Sequence, residues 1–356
     1  MLGVGIFLGA LWTATAFLTR EYRAHKLYRA ERAADGGRSE LATGESASAL
    51  AKFRQAVALD PSRPAYRLDL SRALAALGYL PEATSHLSDI LRRDPVNGPA
   101  NLAMARVHRA AGRLAEGETY YYRAIYGLWS ADEQQTRVDT RLELIELLQQ
   151  TANRDRVRAE FTQLATAFPG DLALQVRVGR SLLMLGFLDE AARVFRVAAG
   201  RFAEPGASLA GLAGAEFARG DYVAAFDAAE RALTLDASDA ESIRWRDTAA
   251  EVLAMDPTRP RLSTRERARR LRVVIEQANE WLTSCVDATA ESENSTDLQS
   301  QAEQFLKGVN RQQGDYYDVG LGLAEELARA VLTHCPNRAN QADALVLLLR
   351  KLAAPA

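Results

Sequence analysis

The sequence has few of the residues from which catalytic and metal sites are built. Its 356 residues include two cysteines and four histidines, which is little material for a metal centre or a nucleophilic site. Aromatic residues are 7% of the chain and runs of Val and Ile are rare, which disfavours all-β and parallel-sheet folds. The net charge of −2 offers no basic excess to neutralise phosphates. We therefore expect no metal, no cofactor and no nucleic-acid partner.

Alanine and leucine dominate what is there. The chain holds 65 Ala and 48 Leu, together about a third of its residues, and these are among the strongest helix formers. It contains no P-loop, no Gly-rich dinucleotide turn, no CxxC and no HExxH. The composition predicts an all-α fold, and the missing motifs indicate a protein that is not an enzyme and has no catalytic residues.

The amino-terminal segment is the longest stretch without charge. As a helix, residues 1–19 would span about 28 Å, enough for the core of a bilayer. Basic residues follow at once, namely Arg20, Arg23, Lys26, Arg29 and Arg32. We predict an uncleaved single transmembrane helix over 1–19, with a basic juxtamembrane helix and a polar insert over 20–45. The pair Ala14 and Ala16 leaves cleavage by a signal peptidase open.

Charge asymmetry predicts the orientation of this anchor. Because positive residues stay on the cytoplasmic side, the body of the protein would face the cytoplasm from a single-pass position in the cell (inner) membrane. Gly5 and Gly9 form a small-residue face of the kind that packs transmembrane helices together, although an anchor that simply tolerates glycine is the favoured interpretation.

A 34-residue period fills the middle of the chain. Glycines recur at equivalent places, namely Gly78, Gly112, Gly186 and Gly220. An Asp-Pro pair, at Pro61 and at Pro95, ends the stretch before each of two successive repeats. A divergent repeat at 138–171 follows an insertion near 130–137. The pattern resembles the tetratricopeptide repeat (TPR), and with the anchor it is similar to membrane-anchored bacterial TPR proteins.

This resemblance implies an α-solenoid of helix pairs over 46–256, with about five to six repeats. Its first repeat is predicted to keep only the second helix, since the polar stretch Asp35 to Glu45 displaces the first. Beyond 256 the period is lost. Residues 257–356 are predicted to form a helical cap, whose first long helix opens at a capping box, Ser263 to Glu266.

In TPR proteins the first helices line a groove, so the resemblance also predicts a binding surface. Arg72, Arg106 and Arg180 occupy one equivalent place in three repeats, and Arg109 lies one turn beyond Arg106. Spaced guanidinium groups suit an acidic peptide. Alternatively, they reflect a chain with 40 Arg against 4 Lys that places arginine at exposed positions.

Two further sets of residues are candidates for contact or bonding. Tyr122, Tyr126 and Trp129 lie beside the insertion, where they either pack beneath it, the favoured interpretation, or stay exposed for a partner. Cys285 and Cys335 would form a disulfide closing a 50-residue loop outside the cytoplasm, or two buried thiols inside it. A bonded pair would favour an extracytoplasmic (periplasmic) solenoid over the cytoplasmic one.

These patterns together predict a non-catalytic, membrane-tethered scaffold that binds a protein partner through its groove. The alternative is an accessory structural subunit of a larger membrane enzyme or electron-transfer complex, in which the transmembrane helix packs against other subunits through Gly5 and Gly9.

Overall fold

The computed structural model describes residues 2–130, 133–285, 293–308, 316–339 and 343–354. Side chains within these ranges are described except at 2–11, 13, 14, 16, 134, 293–295, 338 and 339. The described residues form α-helices and turns, without any β-strand beyond one isolated bridge between Asn97 and Leu128. The all-α prediction is confirmed over this part of the chain.

The helices follow one another in the chain with short connections. They are α1 (Leu2–Ala42), α2 (Ser46–Leu59), α3 (Pro64–Ala76), α4 (Leu80–Arg93), α5 (Gly98–Ala110), α6 (Leu114–Ile125), α7 (Gln134–Gln150), α8 (Arg154–Ala167), α9 (Leu172–Met184), α10 (Leu188–Arg201), α11 (Gly206–Ala218), α12 (Tyr222–Leu233), α13 (Ala240–Met255), α14 (Thr264–Cys285), α15 (Glu293–Lys307), α16 (Tyr316–His334), α17 (Pro336–Ala339) and α18 (Ala344–Ala353).

A left-handed residue ends the first helix of each repeat. The φ angles are positive at Gly44, Gly78, Gly112, Ala152, Gly186 and Gly220. In the turn after α3, the Tyr79 amide donates to the Leu74 carbonyl at 2.9 Å, which satisfies an end carbonyl of the helix. Glycine adopts this backbone conformation without a Cβ penalty, and that requirement explains the glycine period of the sequence.

The first repeat is complete, contrary to the prediction. The stretch Asp35 to Glu45 does not displace a helix, because α1 continues through it to Ala42 and packs on α2. Ala30 and Ala34 of α1 are fully buried in this contact. Adjacent glycines in this stretch are typical of a loop. In the structure, the small residues of α1 allow the two helices to pack closely.

The predicted transmembrane anchor is wrong. Residues 2–19 are not a separate apolar element, since α1 runs on without a break through the basic residues to Ala42. Of the helices in the described part of the chain, none combines the length and the apolar character needed to cross a membrane. The prediction of single-pass localisation in the inner membrane is overturned by the same finding. Gly5 and Gly9 lie on the backbone of α1, but their surroundings fall outside the described residues.

The chain forms two compact units, residues 1–160 and 161–356. We refer to them as the first unit and the second unit. The sequence placed a boundary near 256, but α14, α16 and α18 share one apolar core with α12 and α13. Side chains at the centre of this core include Val252, Leu271, Leu327 and Leu348, all fully buried. The carboxyl-terminal helices therefore cover the last repeat within the second unit.

Polar contacts hold the carboxyl-terminal helices in place. Lys351 of α18 donates from Nζ to Oδ2 of the fully buried Asp256 at 2.6 Å. The Glu266 amide donates to Oγ of Ser263 at 3.2 Å, so Ser263 caps α14 as its sequence predicted. Cys285 and Cys335 are joined as a disulfide with their Cα atoms 5.4 Å apart, which links the end of α14 to the residue after α16.

Candidate functional site

One face of the first unit carries a connected set of charged side chains. It is formed by the carboxyl-terminal part of α1 and by α3, α5 and α7, the first helices of their repeats, and we call it the first-helix face. Its charged residues are Arg38, Asp69, Arg72, Arg106, Arg109, Glu143 and Glu146.

The α1 end of this face is organised around a buried carboxylate. Arg38 donates from Nε to Oδ2 of Asp69 at 2.8 Å, and its Nη1 donates to Asp35 at the same distance. Asp69 is 5% exposed and also accepts from Nη1 of Arg72 at 3.3 Å. Since Asp69 is desolvated, these guanidinium contacts are what make its ionised form tolerable.

The α7 end repeats the arrangement with glutamates. Arg106 makes a two-point contact to Glu143, with Nε to Oε2 at 3.0 Å and Nη2 to Oε1 at 2.5 Å. Arg109 donates to Oε2 of Glu146 from Nη1 and Nη2 at 3.5 and 3.4 Å. The hydrogen bonds that Arg106 donates to Glu143 raise the pKa of Arg106. These two arginines are therefore neutralised within the chain rather than left open for an acidic partner.

Arg72 differs from its neighbours in its electrostatics. Burial lowers the pKa of the Arg72 guanidinium, and the positive charges of Arg106 and Arg38 lower it further, whereas the negative charges of Asp69 and Glu133 raise it. Because the net result of these effects is a lowered pKa, additional negative charge near Arg72 would favour its charged form.

The predicted arginines are thus only partly brought together. Arg72, Arg106 and Arg109 lie on the first-helix face, whereas Arg180 is an exposed residue of α9 in the second unit. The sequence missed Arg38, which lies 34 residues before Arg72, because the residues around it were interpreted as a polar insert. Continuing the 34-residue period towards the amino terminus would have found it.

The aromatic candidates divide between packing and exposure. The Tyr122 hydroxyl donates to Oε1 of Glu160 at 3.0 Å, and the Arg156 guanidinium lies 5.6 Å from its ring centroid. Nε1 of Trp129 donates to the Ala124 carbonyl at 2.7 Å, and the ring is part-buried. Tyr126 is 70% exposed and stacks on Tyr122 with ring centroids 6.5 Å apart. The three residues therefore do not form one continuous exposed aromatic surface.

Comparison with known proteins identifies the repeats. Residues 34–97 and 176–240 match the family model of the tetratricopeptide repeat. These two segments are tetratricopeptide repeats. The first match includes the end of α1, in agreement with a complete first TPR. No curated protein matches the chain by sequence.

Several solved TPR structures are similar to the chain. A PilF structure from Pseudomonas aeruginosa has 13% identity and a TM-score of 0.40, over 63% of this chain and 99% of that one. YrrB, described as a TPR protein with an unusual peptide-binding site, has 13% identity and a TM-score of 0.37, over 55% and 97%. The TPR domain of P58(IPK) has 14% identity and a TM-score of 0.30, over 91% and 98%.

The chemistry available on the first-helix face is hydrogen bonding and ion pairing. Among the described residues, no group of His, Cys, Asp and Glu is arranged to hold a metal ion. The four described histidines include His108, which stacks on Tyr120 at 5.1 Å between ring centroids and accepts from Nε of Arg113 at 3.1 Å. These contacts are structural.

Tyr121 gives a pH-dependent readout of this face. It is fully buried on α6, and its hydroxyl donates to Oε2 of Glu143 at 2.9 Å. Burial raises the pKa of Tyr121 to about 12, and the negative charge of Glu143 raises it as well. Because its folded pKa lies above that of an unfolded tyrosine, its contribution to stability is complete below about pH 10 and is lost as the pH rises towards 12.

We therefore expect wild-type protein to lose more unfolding free energy between pH 9 and pH 11 than a Tyr121→Phe variant loses. Urea unfolding at the two pH values measures this difference, and a ¹³Cζ-tyrosine NMR titration reports the ionisation directly. Tyr126→Phe is the matched control, since that ring is mostly exposed. Equal losses in wild type and Tyr121→Phe would contradict the assignment.

Proposed function

We propose that the protein is a non-catalytic scaffold that binds a protein partner on the first-helix face of its first unit. The observation that carries the proposal is the ordered set of arginines and carboxylates on this face, contributed by four successive first helices. Arg106, for example, is half-exposed yet held in one orientation by its two-point contact with Glu143. Polar groups that are fixed before binding lose less conformational entropy when a partner contacts them.

The tetratricopeptide repeats support this role, because repeats of this kind generally serve protein–protein interaction. The carboxylates that neutralise Arg106 and Arg109 change the expected partner. A uniformly acidic peptide would meet Glu143 and Glu146 as well as the arginines, and like charges across an interface are unfavourable. A partner segment of mixed polarity fits this face better than an acidic tail.

Site-directed photo-crosslinking tests the proposal. Ala110 is exposed and lies one turn after Arg106 on α5, so a benzoylphenylalanine at this position would point from the first-helix face. We expect it to capture a discrete protein partner in the native cells. The control is the same group at Arg92 of α4, whose side chain is 76% exposed and which belongs to a second helix. No adduct from position 110, or the same adducts from both positions, would contradict the proposal.

We also propose that the protein matures in an oxidising compartment. The Cys285–Cys335 disulfide supports this, since disulfides persist mainly where thiols are not kept reduced.

A further inference from the structure

Arginines on the first-helix face follow a pairing rule between neighbouring repeats. Arg38 pairs with Asp69, which lies 31 residues later in the chain. Arg106 pairs with Glu143, which lies 37 residues later. This separation is six residues longer than the first, because an insertion lies between the repeats that contain α5 and α7. The two arginines occupy equivalent places, as do the two acids. Each pair therefore joins the first helix of one repeat to the first helix of the next.

The rule is broken once, at Arg72. Arg72 lies 34 residues from both Arg38 and Arg106, so it occupies the same place in its repeat. The residue 31 positions later is Ala103, which is 6% exposed and offers a methyl group where the repeats on either side have the carboxylates of Asp69 and Glu143. At this place Arg72 therefore has no carboxylate of the kind that Arg38 and Arg106 contact in the next repeat.

What remains for Arg72 is a shared carboxylate. Its Nη1 donates to Oδ1 of Asp69 at 3.3 Å, while Arg38 already holds the other oxygen, Oδ2, at 2.8 Å. Among the described side chains, no carboxylate is hydrogen-bonded to Nε or Nη2 of Arg72. The guanidinium is half-buried, and it lies near the positive charges of Arg38 and Arg106 as well as the negative charges of Asp69 and Glu133. A carboxylate at its two remaining donors would therefore add charge-assisted hydrogen bonds.

We propose that Arg72 receives an Asp or Glu side chain of the bound partner, at the place that Asp69 and Glu143 hold for Arg38 and Arg106. The inference rests on the proposed function and makes it more specific. One acidic residue in an otherwise mixed segment completes the pairing, whereas a run of acidic residues would meet Glu143 and Glu146. The guanidinium fork presents parallel donors, and a carboxylate matches them with two oxygens.

The missing carboxylate can be supplied within the chain, and this provides the test. Ala103→Glu places a carboxylate at the position equivalent to Glu143, where it would occupy Arg72 and exclude the partner's acid. Ala103→Gln is the matched control, with the same shape and no charge. Arg72→Gln removes the receiving group. Thermal unfolding of each variant checks the fold, and Ala103→Asp, which reproduces the shorter acid found at Asp69, replaces Ala103→Glu if that variant does not fold.

The probe is a pair of fluorescein-labelled pools of twelve-residue peptides. One pool carries a single Glu at the sixth position, the other carries Gln there, and the remaining positions are the same mixture of Ala, Leu, Ser and Thr. By fluorescence anisotropy we expect wild type and Ala103→Gln to bind the Glu pool about five- to tenfold more tightly. Arg72→Gln and Ala103→Glu should show no preference.

The outcomes separate this inference from the proposed function. If wild type binds both pools equally, or if Arg72→Gln keeps the preference for Glu, the inference is wrong, while peptide binding itself still supports a scaffold. If wild type binds neither pool and position 110 gives no crosslink, the proposed function fails and the inference fails with it. If wild type binds neither pool but position 110 does crosslink a partner, an acid at Arg72 is not the main determinant and the inference is overturned.

Discussion

Phe195→Ala is expected to lower the unfolding free energy by about 3–5 kcal/mol, the largest effect of a single substitution that we predict. Phe195 of α10 is fully buried. Its ring lies in a slot between Gly179 of α9 and Gly211 of α11, so close that a Cβ on Gly211 would be 2.3 Å from a ring carbon. Removing the ring leaves a cavity bounded by helix backbone, which cannot collapse to fill it.

Urea unfolding followed by circular dichroism measures the change. The control is Val197→Ala on the same helix, where the side chain is 57% exposed and the expected change is within about 0.5 kcal/mol. Gly211→Ala alone should also lower the unfolding free energy, because its methyl group would clash with the Phe195 ring. The double variant with Phe195→Ala should lose less unfolding free energy than the two single variants lose together, because the methyl group then occupies part of the cavity. Additive losses would show that the slot does not exist.

Much of this packing could be predicted from the sequence. The 34-residue period located the turn glycines and paired the helices, because a close helix contact and a left-handed turn each admit few residue types. The start of α14 was also predictable from the capping signal at Ser263, whose Oγ accepts from the Glu266 amide. Local signals of this kind depend on residues near each other in the chain.

The rest depended on contacts between distant residues. Asp35 to Ala42 carries Gly, Asp and Ser, which are poor helix formers in isolation, yet it is helical because α1 packs against α2 there. The apolar run at the start of α1 was predicted to be a transmembrane anchor from its hydropathy alone. In the structure it is part of a 41-residue helix. For the site, sequence spacing found Arg106 and Arg109 but did not predict that they pair with Glu143 and Glu146, since those contacts cross a six-residue insertion.

Reducing the disulfide is expected to lower the melting temperature of the second unit by about 10 °C. Cys285 and Cys335 are 50 residues apart, and closing a loop of that length lowers the entropy of the unfolded chain enough to stabilise the fold by about 4 kcal/mol. For a unit of this size each kcal/mol corresponds to roughly 2–4 °C. The cross-link also ties α14 to the chain just after α16, two parts of one apolar core, so local separation of the helices is opposed as well.

Calorimetry with and without a phosphine reductant measures the shift. The double variant Cys285→Ala, Cys335→Ala should melt near the temperature of reduced wild type and should not respond to the reductant. Alanine is chosen because Cys335 is 2% exposed and a serine there would bury a hydroxyl group. The same cysteines test the compartment. Protein trapped with a maleimide as its native cells are lysed should show no free thiol, whereas a Cys335→Ala variant should show one. Two free thiols in wild type would place the protein in a reducing compartment, and unchanged melting on reduction would mean that the bond does not constrain the fold.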